Sequence, residues 1–298
     1  AFELQELTLT GDLTVTAGGD ITDDGSTITV GNNFAATTDA GSGAINLPHL
    51  AVDETIALTT DGTGNATVVN DAVIKFASST VRGALIATAT AGDITDSGVL
   101  AITGTSNFTV AGGQSIILDS DNTFSAAVAF NTSAGVLLDV EINDSNAFEL
   151  PTLTVTNDLT VTAGGDITDS GGTVTVGNNF AATTDAGSGA INLPHLAVDE
   201  TIALTTDGTG NATVVNDAVI KFASSTVRGA LIATATAGDI TDSGVLAITG
   251  TSNFTVAGGQ SIILDSDNTF SAAVAFNTSA GVLLDVEIND STAFELPT

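Results

Sequence analysis

Residues 13–23 read Leu-Thr-Val-Thr-Ala-Gly-Gly-Asp-Ile-Thr-Asp, and this stretch decides the fold class. Leu13 and Val15 alternate with two threonines, which is the pattern of a half-buried β-strand. The Gly and Asp residues that follow tolerate the backbone angles of tight corners. The second half of the stretch, Gly-Asp-Ile-Thr-Asp, occurs at residues 19–23, 92–96, 165–169 and 238–242. The chain is therefore expected to consist of short strands that are separated by tight corners.

The whole sequence repeats with a period of 146 residues. Residues 147–292 copy residues 1–146 with only eight differences, at positions 5, 6, 9, 11, 24, 26, 28 and 146. Fixed-period self-similarity is the signature of repeat architectures. We expect two solenoid repeat units, 1–146 and 147–292, with the start of a third unit at 293–298, in one continuous solenoid without a linker. Because one active site suffices for an enzyme, a near-perfect second copy favours a structural function.

A shorter period inside each unit predicts the coils of the solenoid. The intervals between successive apolar anchors are 22 to 26 residues long, taking the anchors as Ile21, Ile45, Val68, Ile94, Ile116 and Ile142. Two or three short strands in each interval fit a parallel β-helix, in which coils bury their apolar faces only by stacking. We predict about six coils per unit, about 29 Å of length at ~4.8 Å per coil, and one buried column of anchors. The alternative is tandem β-sandwich domains, which have no internal subrepeat of this length.

The composition excludes several classes of partner. The chain carries 35 acidic and 4 basic side chains, for a formal net charge of −31. Nucleic-acid phosphates need Lys and Arg, so no nucleic-acid partner is expected. No apolar run approaches the roughly 18 residues of a membrane span, so we expect no membrane insertion. The chain has no Cys, which is compatible with secretion.

The residues offer little for catalysis. The two histidines, His49 and His195, occupy the same position in each unit, and we interpret them as surface or turn residues. Polysaccharide-cleaving β-helices usually carry aromatic side chains that stack on sugars, whereas this chain has no Trp and no Tyr. We therefore expect that the protein is not an enzyme.

Aspartates at the corners are the candidate metal ligands, namely Asp20, Asp23, Asp24, Asp119 and Asp121. Calcium binds six to eight oxygens, often from carboxylates and turn carbonyls. The spacing matches neither the EF-hand loop nor the calcium-binding nonapeptide. A solvated acidic face is the favoured interpretation, with calcium as the one cofactor that these residues suggest.

Residues 159–171, Leu-Thr-Val-Thr-Ala-Gly-Gly-Asp-Ile-Thr-Asp-Ser-Gly, resemble the haemagglutinin-type repeats of large secreted adhesins of the filamentous haemagglutinin kind. Residues 114–124, Gln-Ser-Ile-Ile-Leu-Asp-Ser-Asp-Asn-Thr-Phe, resemble the same repeats. The resemblance implies export by two-partner secretion, a right-handed parallel β-helix and a place on the cell surface. It implies no catalytic residues.

These observations lead to one expected function and one alternative. We expect a structural segment of a long extracellular or cell-surface bacterial fibre, used for adhesion, sheath or biofilm matrix. It would self-associate into a filament or continue in a longer covalent chain. The alternative is a surface-binding module that recognises ice, mineral or glycan through a flat Thr-rich β-face. A ladder of threonines in register on one face would favour the alternative.

Overall fold

The computed structural model describes residues 1–296 and contains 36 β-strands and no helix within them. The chain divides into two compact units, Ala1–Ser145 and Asn146–Thr298. Strands within each unit pair in parallel with strands one turn further along the chain, so the predicted all-β parallel β-helix is confirmed. The predicted third unit at 293–298 lies partly outside the described residues, because residues 297 and 298 are not among them.

The strands of the first unit are β1 (Phe2–Leu4), β2 (Leu7–Leu9), β3 (Leu13–Ala17), β4 (Ile21–Asp23), β5 (Ile28–Val30), β6 (Phe34–Thr38), β7 (Ile45–Val52), β8 (Thr55–Thr59), β9 (Ala66–Asn70), β10 (Ile74–Phe76), β11 (Ser79–Val81), β12 (Leu85–Ala89), β13 (Ile94–Asp96), β14 (Leu100–Ile102), β15 (Ser106–Val110), β16 (Gln114–Phe124), β17 (Val128–Thr132) and β18 (Leu137–Asp144).

The strands of the second unit are β19 (Phe148–Leu150), β20 (Leu153–Val155), β21 (Leu159–Ala163), β22 (Ile167–Asp169), β23 (Val174–Val176), β24 (Phe180–Thr184), β25 (Ile191–Val198), β26 (Thr201–Thr205), β27 (Ala212–Asn216), β28 (Ile220–Phe222), β29 (Ser225–Val227), β30 (Leu231–Ala235), β31 (Ile240–Asp242), β32 (Leu246–Ile248), β33 (Ser252–Val256), β34 (Ile262–Phe270), β35 (Val274–Thr278) and β36 (Val286–Asp290).

Each unit contains seven turns, and not the six that the sequence predicted. In the first unit one stack of paired residues runs through Phe2, Ile21, Ile45, Ala66, Leu85, Ser106 and Val128. The second unit repeats this stack through Phe148, Ile167, Ile191, Ala212, Leu231, Ser252 and Val274. At ~4.8 Å between paired strands, seven turns span about 34 Å.

The miscount arises because the two sides of the solenoid exchange roles halfway through a unit. In the first unit one sheet contains β1, β2, β4, β5, β7, β9, β12, β15 and β17, and the opposite sheet contains the other nine strands. The first sheet begins with two short strands per turn, such as β1 and β2, and continues from β9 with one five-residue strand per turn. The opposite sheet does the reverse, beginning with β3 and continuing with pairs such as β10 and β11.

The predicted single column of anchors is consequently wrong, although every anchor is buried. Ile21 pairs with Ile45 on the first sheet, whereas Ile94 pairs with Ile116 on the opposite sheet. The Gly-Asp-Ile-Thr-Asp motifs at 19–23 and 92–96 are therefore about three and a half turns apart and lie on opposite sides.

The core is filled by inward-facing side chains from both sheets. In the first unit Phe108 packs against Phe76, Phe124 and Phe130, with ring centroids 6.1 to 6.4 Å apart.

The buried Asn70 amide lies at the corner where the strand pattern changes. It accepts a hydrogen bond from the Val52 N–H (2.8 Å) and donates to the carbonyls of Val52 (3.0 Å) and Val73 (2.7 Å). These bonds satisfy a polar group that would otherwise destabilise the core.

One corner of the first unit is a column of glycines, made of Gly19, Gly43, Gly64, Gly83 and Gly104. A Cβ added to Gly43 would lie 2.6 Å from the carbonyl carbon of Gly19, and one added to Gly64 would overlap the carbonyl oxygen of Gly43. The close approach of successive backbones therefore requires glycine here.

We expect Gly64→Ala to destabilise the protein by about 1–3 kcal/mol, because the added methyl forces the backbone of the neighbouring turn to move. Thermal unfolding followed by circular dichroism measures this effect. The control is Gly11→Ala, because a Cβ at Gly11 would meet nothing within 4 Å. Equal melting temperatures for the two variants would contradict the tight stacking of this corner.

Candidate functional site

The first aspartate of each Gly-Asp-Ile-Thr-Asp motif binds the backbone of the next turn. The Asp20 Oδ1 atom accepts a hydrogen bond from the Ala44 N–H at 2.9 Å, and the Asp93 Oδ1 atom accepts one from the Ser115 N–H at 2.7 Å. The two copies in the second unit do the same, with Asp166 bound to Ala190 (2.7 Å) and Asp239 bound to Ser261 (2.6 Å). We call these contacts cross-turn staples.

The second aspartate of each motif forms another cross-turn staple. Asp23 accepts the His49 N–H, and Asp96 accepts the Ser120 N–H, each at 3.2 Å. Asp169 and Asp242 repeat these contacts with His195 and Ser266. The partners are 24 or 26 residues apart in the chain, so these contacts were not evident from the sequence. The motif therefore joins successive turns wherever it occurs.

Each histidine is held by one of these buried carboxylates. The Nδ1 atom of His49 lies 2.9 Å from the Oδ1 atom of Asp23, and the side chains are 46 % and 2 % exposed respectively. His195 and Asp169 form the same pair at 2.9 Å. The carboxylate fixes the ring orientation, as a carboxylate that is hydrogen-bonded to a metal-binding histidine does. The sequence indicated that both histidines lie on the surface, but it gave no sign of their aspartate partners.

An oriented imidazole can hold or transfer a proton at Nε2, but the surroundings supply little else. His195 lines a recess of about 200 Å³ together with Thr173, Pro194, Asp217 and Thr236. Among residues 1–296, no three His, Asp or Glu side chains are grouped so that they could hold a metal ion. The pair is therefore an isolated dyad in the described part of the chain.

The predicted calcium ligands fall into two groups. Asp20 and Asp23 accept backbone hydrogen bonds from the next turn, and Asp24 accepts one from the Ser26 N–H at 3.0 Å. Asp119 and Asp121 are exposed on β16, which belongs to the opposite sheet. The structure does not bring the two groups together, and the staples occupy carboxylate oxygens that a cation would need.

Three acidic side chains on the opposite sheet, Asp96, Asp119 and Glu141, influence one another. Burial raises the pKa of Asp96 above its usual value, although hydrogen bonds from Asn122 (2.7 Å) and Ser120 oppose this effect. Burial also raises the pKa of Glu141, with further contributions from the charges of Asp119 and Asp96. A raised pKa in the folded state means that the folded protein holds the proton more tightly than the unfolded chain does. Asp96 and Glu141 therefore contribute stability at low pH, where they are protonated. This contribution is lost as the pH rises through their folded-state pKa values.

We expect Glu141→Gln to stabilise the protein at pH 7 by less than about 1 kcal/mol, because it removes a partly buried charge that solvent still screens. Below pH 4 the gain should vanish, since Glu141 is then protonated. Melting temperatures across this pH range measure the effect. The control is Glu287→Gln, which alters the same position in the second unit, where the side chain is exposed. Equal pH profiles for the two variants would contradict the role of burial at Glu141.

We expect Asp93→Ala to destabilise the protein by about 1 kcal/mol, because the Ser115 N–H loses its acceptor. The matched control is Asp71→Ala, which removes the same charge from an exposed side chain that makes no hydrogen bond in the described structure. Urea unfolding measures the difference between the variants. If both lose the same stability, the aspartates of the motif are not staples.

Threonines form a column on the outer surface of each unit. In the first unit Thr16, Thr37, Thr59 and Thr80 are paired in register on four successive turns. The neighbouring outward row reads Thr14, Ala35 and Ala57, so this face of the sheet carries one threonine ladder and not two. In the second unit the corresponding column borders a recess of about 320 Å³, lined by Thr183, Thr184, Asp185, Thr205, Thr206, Asp207, Thr226 and Arg228.

The described residues include no helix that is long and apolar enough to cross a membrane.

Comparison with known proteins gives one match. A family model of repeats of unknown function (DUF5649) matches residues 1–61, 63–131, 138–207 and 209–277. The second and fourth matches are 146 residues apart, so each period contains two family repeats of about three and a half turns each. No curated protein and no solved structure matches the chain significantly. Because the matched segments cover most of its length, the chain belongs to the family of repeats of unknown function, DUF5649.

Proposed function

We propose that this chain is a structural segment of a long extracellular or cell-surface bacterial fibre. The observation that carries the proposal is that each 146-residue unit contains a whole number of turns, namely seven. Within a unit the two Gly-Asp-Ile-Thr-Asp motifs lie on opposite sheets, because one family repeat makes about three and a half turns. Both units run through the same seven paired levels, so we propose that further identical units extend the stack turn by turn.

The placement of the motif residues supports a structural role. All eight aspartates of the four Gly-Asp-Ile-Thr-Asp motifs accept backbone hydrogen bonds from another turn. These repeated aspartates therefore stabilise the stack of turns. A formal charge of −31 opposes lateral association, because like-charged surfaces repel each other. Growth along the stack is then favoured over growth from the sides.

Exposed apolar side chains support the addition of further turns. In the first turn of the first unit Phe2 is 47 % exposed, and in the last turns of the second unit Val282 and Leu284 are 75 % and 67 % exposed. Phe2 lies on β1, and the unpaired edge of such a strand is a template for pairing with another strand. We propose that another turn covers them, either from a longer covalent chain or from a second copy in a filament.

The proposed location outside the cell follows from the resemblance to secreted adhesins and agrees with the absence of Cys. Immunogold labelling of intact cells that make the protein tests this location. Labelling that appears only after the cells are permeabilised would contradict it.

We expect the particle to lengthen by about 34 Å with each added 146-residue unit, since seven turns stack at ~4.8 Å. Chains of two, three and four units should be compared by electron microscopy and small-angle X-ray scattering. A constant cross-section with this increment is the expected result. Units that collapse against each other, so that the cross-section grows and the length does not, would contradict the fibre.

A further inference from the structure

We propose that each unit carries a binding groove for a neutral, hydroxyl-rich glycan beside its threonine column. The groove is the recess of about 320 Å³ in the second unit. Ligand sites are concave and place a few polar groups around the ligand. This inference does not depend on the fibre proposal, because it concerns the outer surface of one unit.

The groove is built from three successive turns. Thr183, Thr205 and Thr226 are paired in register, so their outward hydroxyl groups repeat at the ~4.8 Å spacing of paired strands. Two residues after each of these threonines, beyond the ends of the strands, lie Asp185, Asp207 and Arg228. The groove thus offers a hydroxyl group and a charged group on every turn.

Two buried threonines fix the backbone of the groove. Thr184 donates a hydrogen bond to the Gly189 carbonyl (2.9 Å), and Thr206 donates one to the Gly210 carbonyl (2.8 Å). The same hydroxyl oxygens accept the Asp207 N–H (3.4 Å) and the Arg228 N–H (2.9 Å). The backbone that carries the charged side chains is therefore fixed before a ligand arrives, which lowers the entropic cost of binding.

The guanidinium of Arg228 is free to bind a ligand. Among the described residues, neither arginine lies within 4.0 Å of a carboxylate, although the chain carries 35 acidic side chains. The N–H groups of the Arg228 guanidinium are donors only, whereas the carboxylates of Asp185 and Asp207 are acceptors only. Together with threonine hydroxyl groups they match the mixed donors and acceptors of sugar hydroxyl groups.

Charge decides which class of glycan fits. A polyanion such as a uronate polymer would be repelled by the formal charge of −31 and by the two aspartates of the groove. A neutral glycan makes the same hydrogen bonds without that repulsion. We expect it to run along the column, with successive sugars on successive turns.

The first unit contains the same groove residues. Asp61 and Arg82 donate their backbone N–H groups to Thr38 (3.4 Å) and Thr60 (2.9 Å), as their copies do in the second unit. Asp39 completes the set. A chain of two units should therefore bind two glycan segments.

The test is isothermal titration of the 298-residue protein with three neutral probes: cellohexaose, xylohexaose and mannohexaose. We expect at least one probe to bind at two sites. The double variant Arg82→Gln/Arg228→Gln should weaken binding at least tenfold, with circular dichroism confirming that it folds. The matched control Lys75→Gln/Lys221→Gln makes the same change in charge outside the groove and should stay within twofold of the unmodified protein.

Three outcomes would overturn the proposal. The first is that none of the neutral probes binds at millimolar concentration. The second is that the arginine and lysine variants lose affinity equally, which would show that overall charge and not the groove is responsible. The third is that a galacturonan hexamer binds more tightly than the neutral probes, and less tightly as salt increases, which would identify an anion site.

Discussion

The parallel hydrogen bonding between successive turns is the constraint on which the rest of this structure depends. Every strand pairs with the turn before or after it, and at the corners the side chains of aspartates and asparagines continue the pairing where the strands stop. A corner can hold a side chain only where the neighbouring backbone leaves room, which explains the column of glycines at Gly19, Gly43, Gly64, Gly83 and Gly104. The close stacking of successive turns thus accounts for both the composition and the fold. Gly, Asp and Asn form the corners, and alternating apolar and Thr residues form the strands.

The sequence was sufficient to predict the strands and the fold class, because both follow from local alternation and turn residues. It was not sufficient to predict the number of turns. Ile21 and Ile94 occupy the same place in the same motif, and the motif therefore predicted that they share one column. The structure places them on opposite sheets, because the stretch between them makes about three and a half turns. A motif reports the local conformation of the chain, whereas its position around the axis depends on every corner in between.

The candidate sites were harder to predict for the same reason. The partners in each Asp–His pair are 26 residues apart, and those in the threonine column are 21 or 22 apart. These separations vary from turn to turn, so no fixed spacing in the sequence identifies them. The acidic corners show the same dependence on the neighbouring turn. Asp20 and Asp23 look like cation ligands as isolated residues, but in the structure their oxygens accept backbone hydrogen bonds.

The same constraint limits where a function can reside. Inward positions are occupied by the core, and many corner positions are occupied by staples and glycines, so the outward rows and the recesses beside them can vary with the least effect on stability. The outward row at Thr14 already changes to alanine on the next two turns without a break in pairing. The recess beside the threonine column is where outward residues from three turns meet around one space. Because its backbone is held by buried Thr184 and Thr206, its surface residues could diverge among family repeats while the solenoid stays intact. The outward surface and the solenoid architecture are therefore separable in this fold, since the first depends on outward side chains and the second on the contacts between turns.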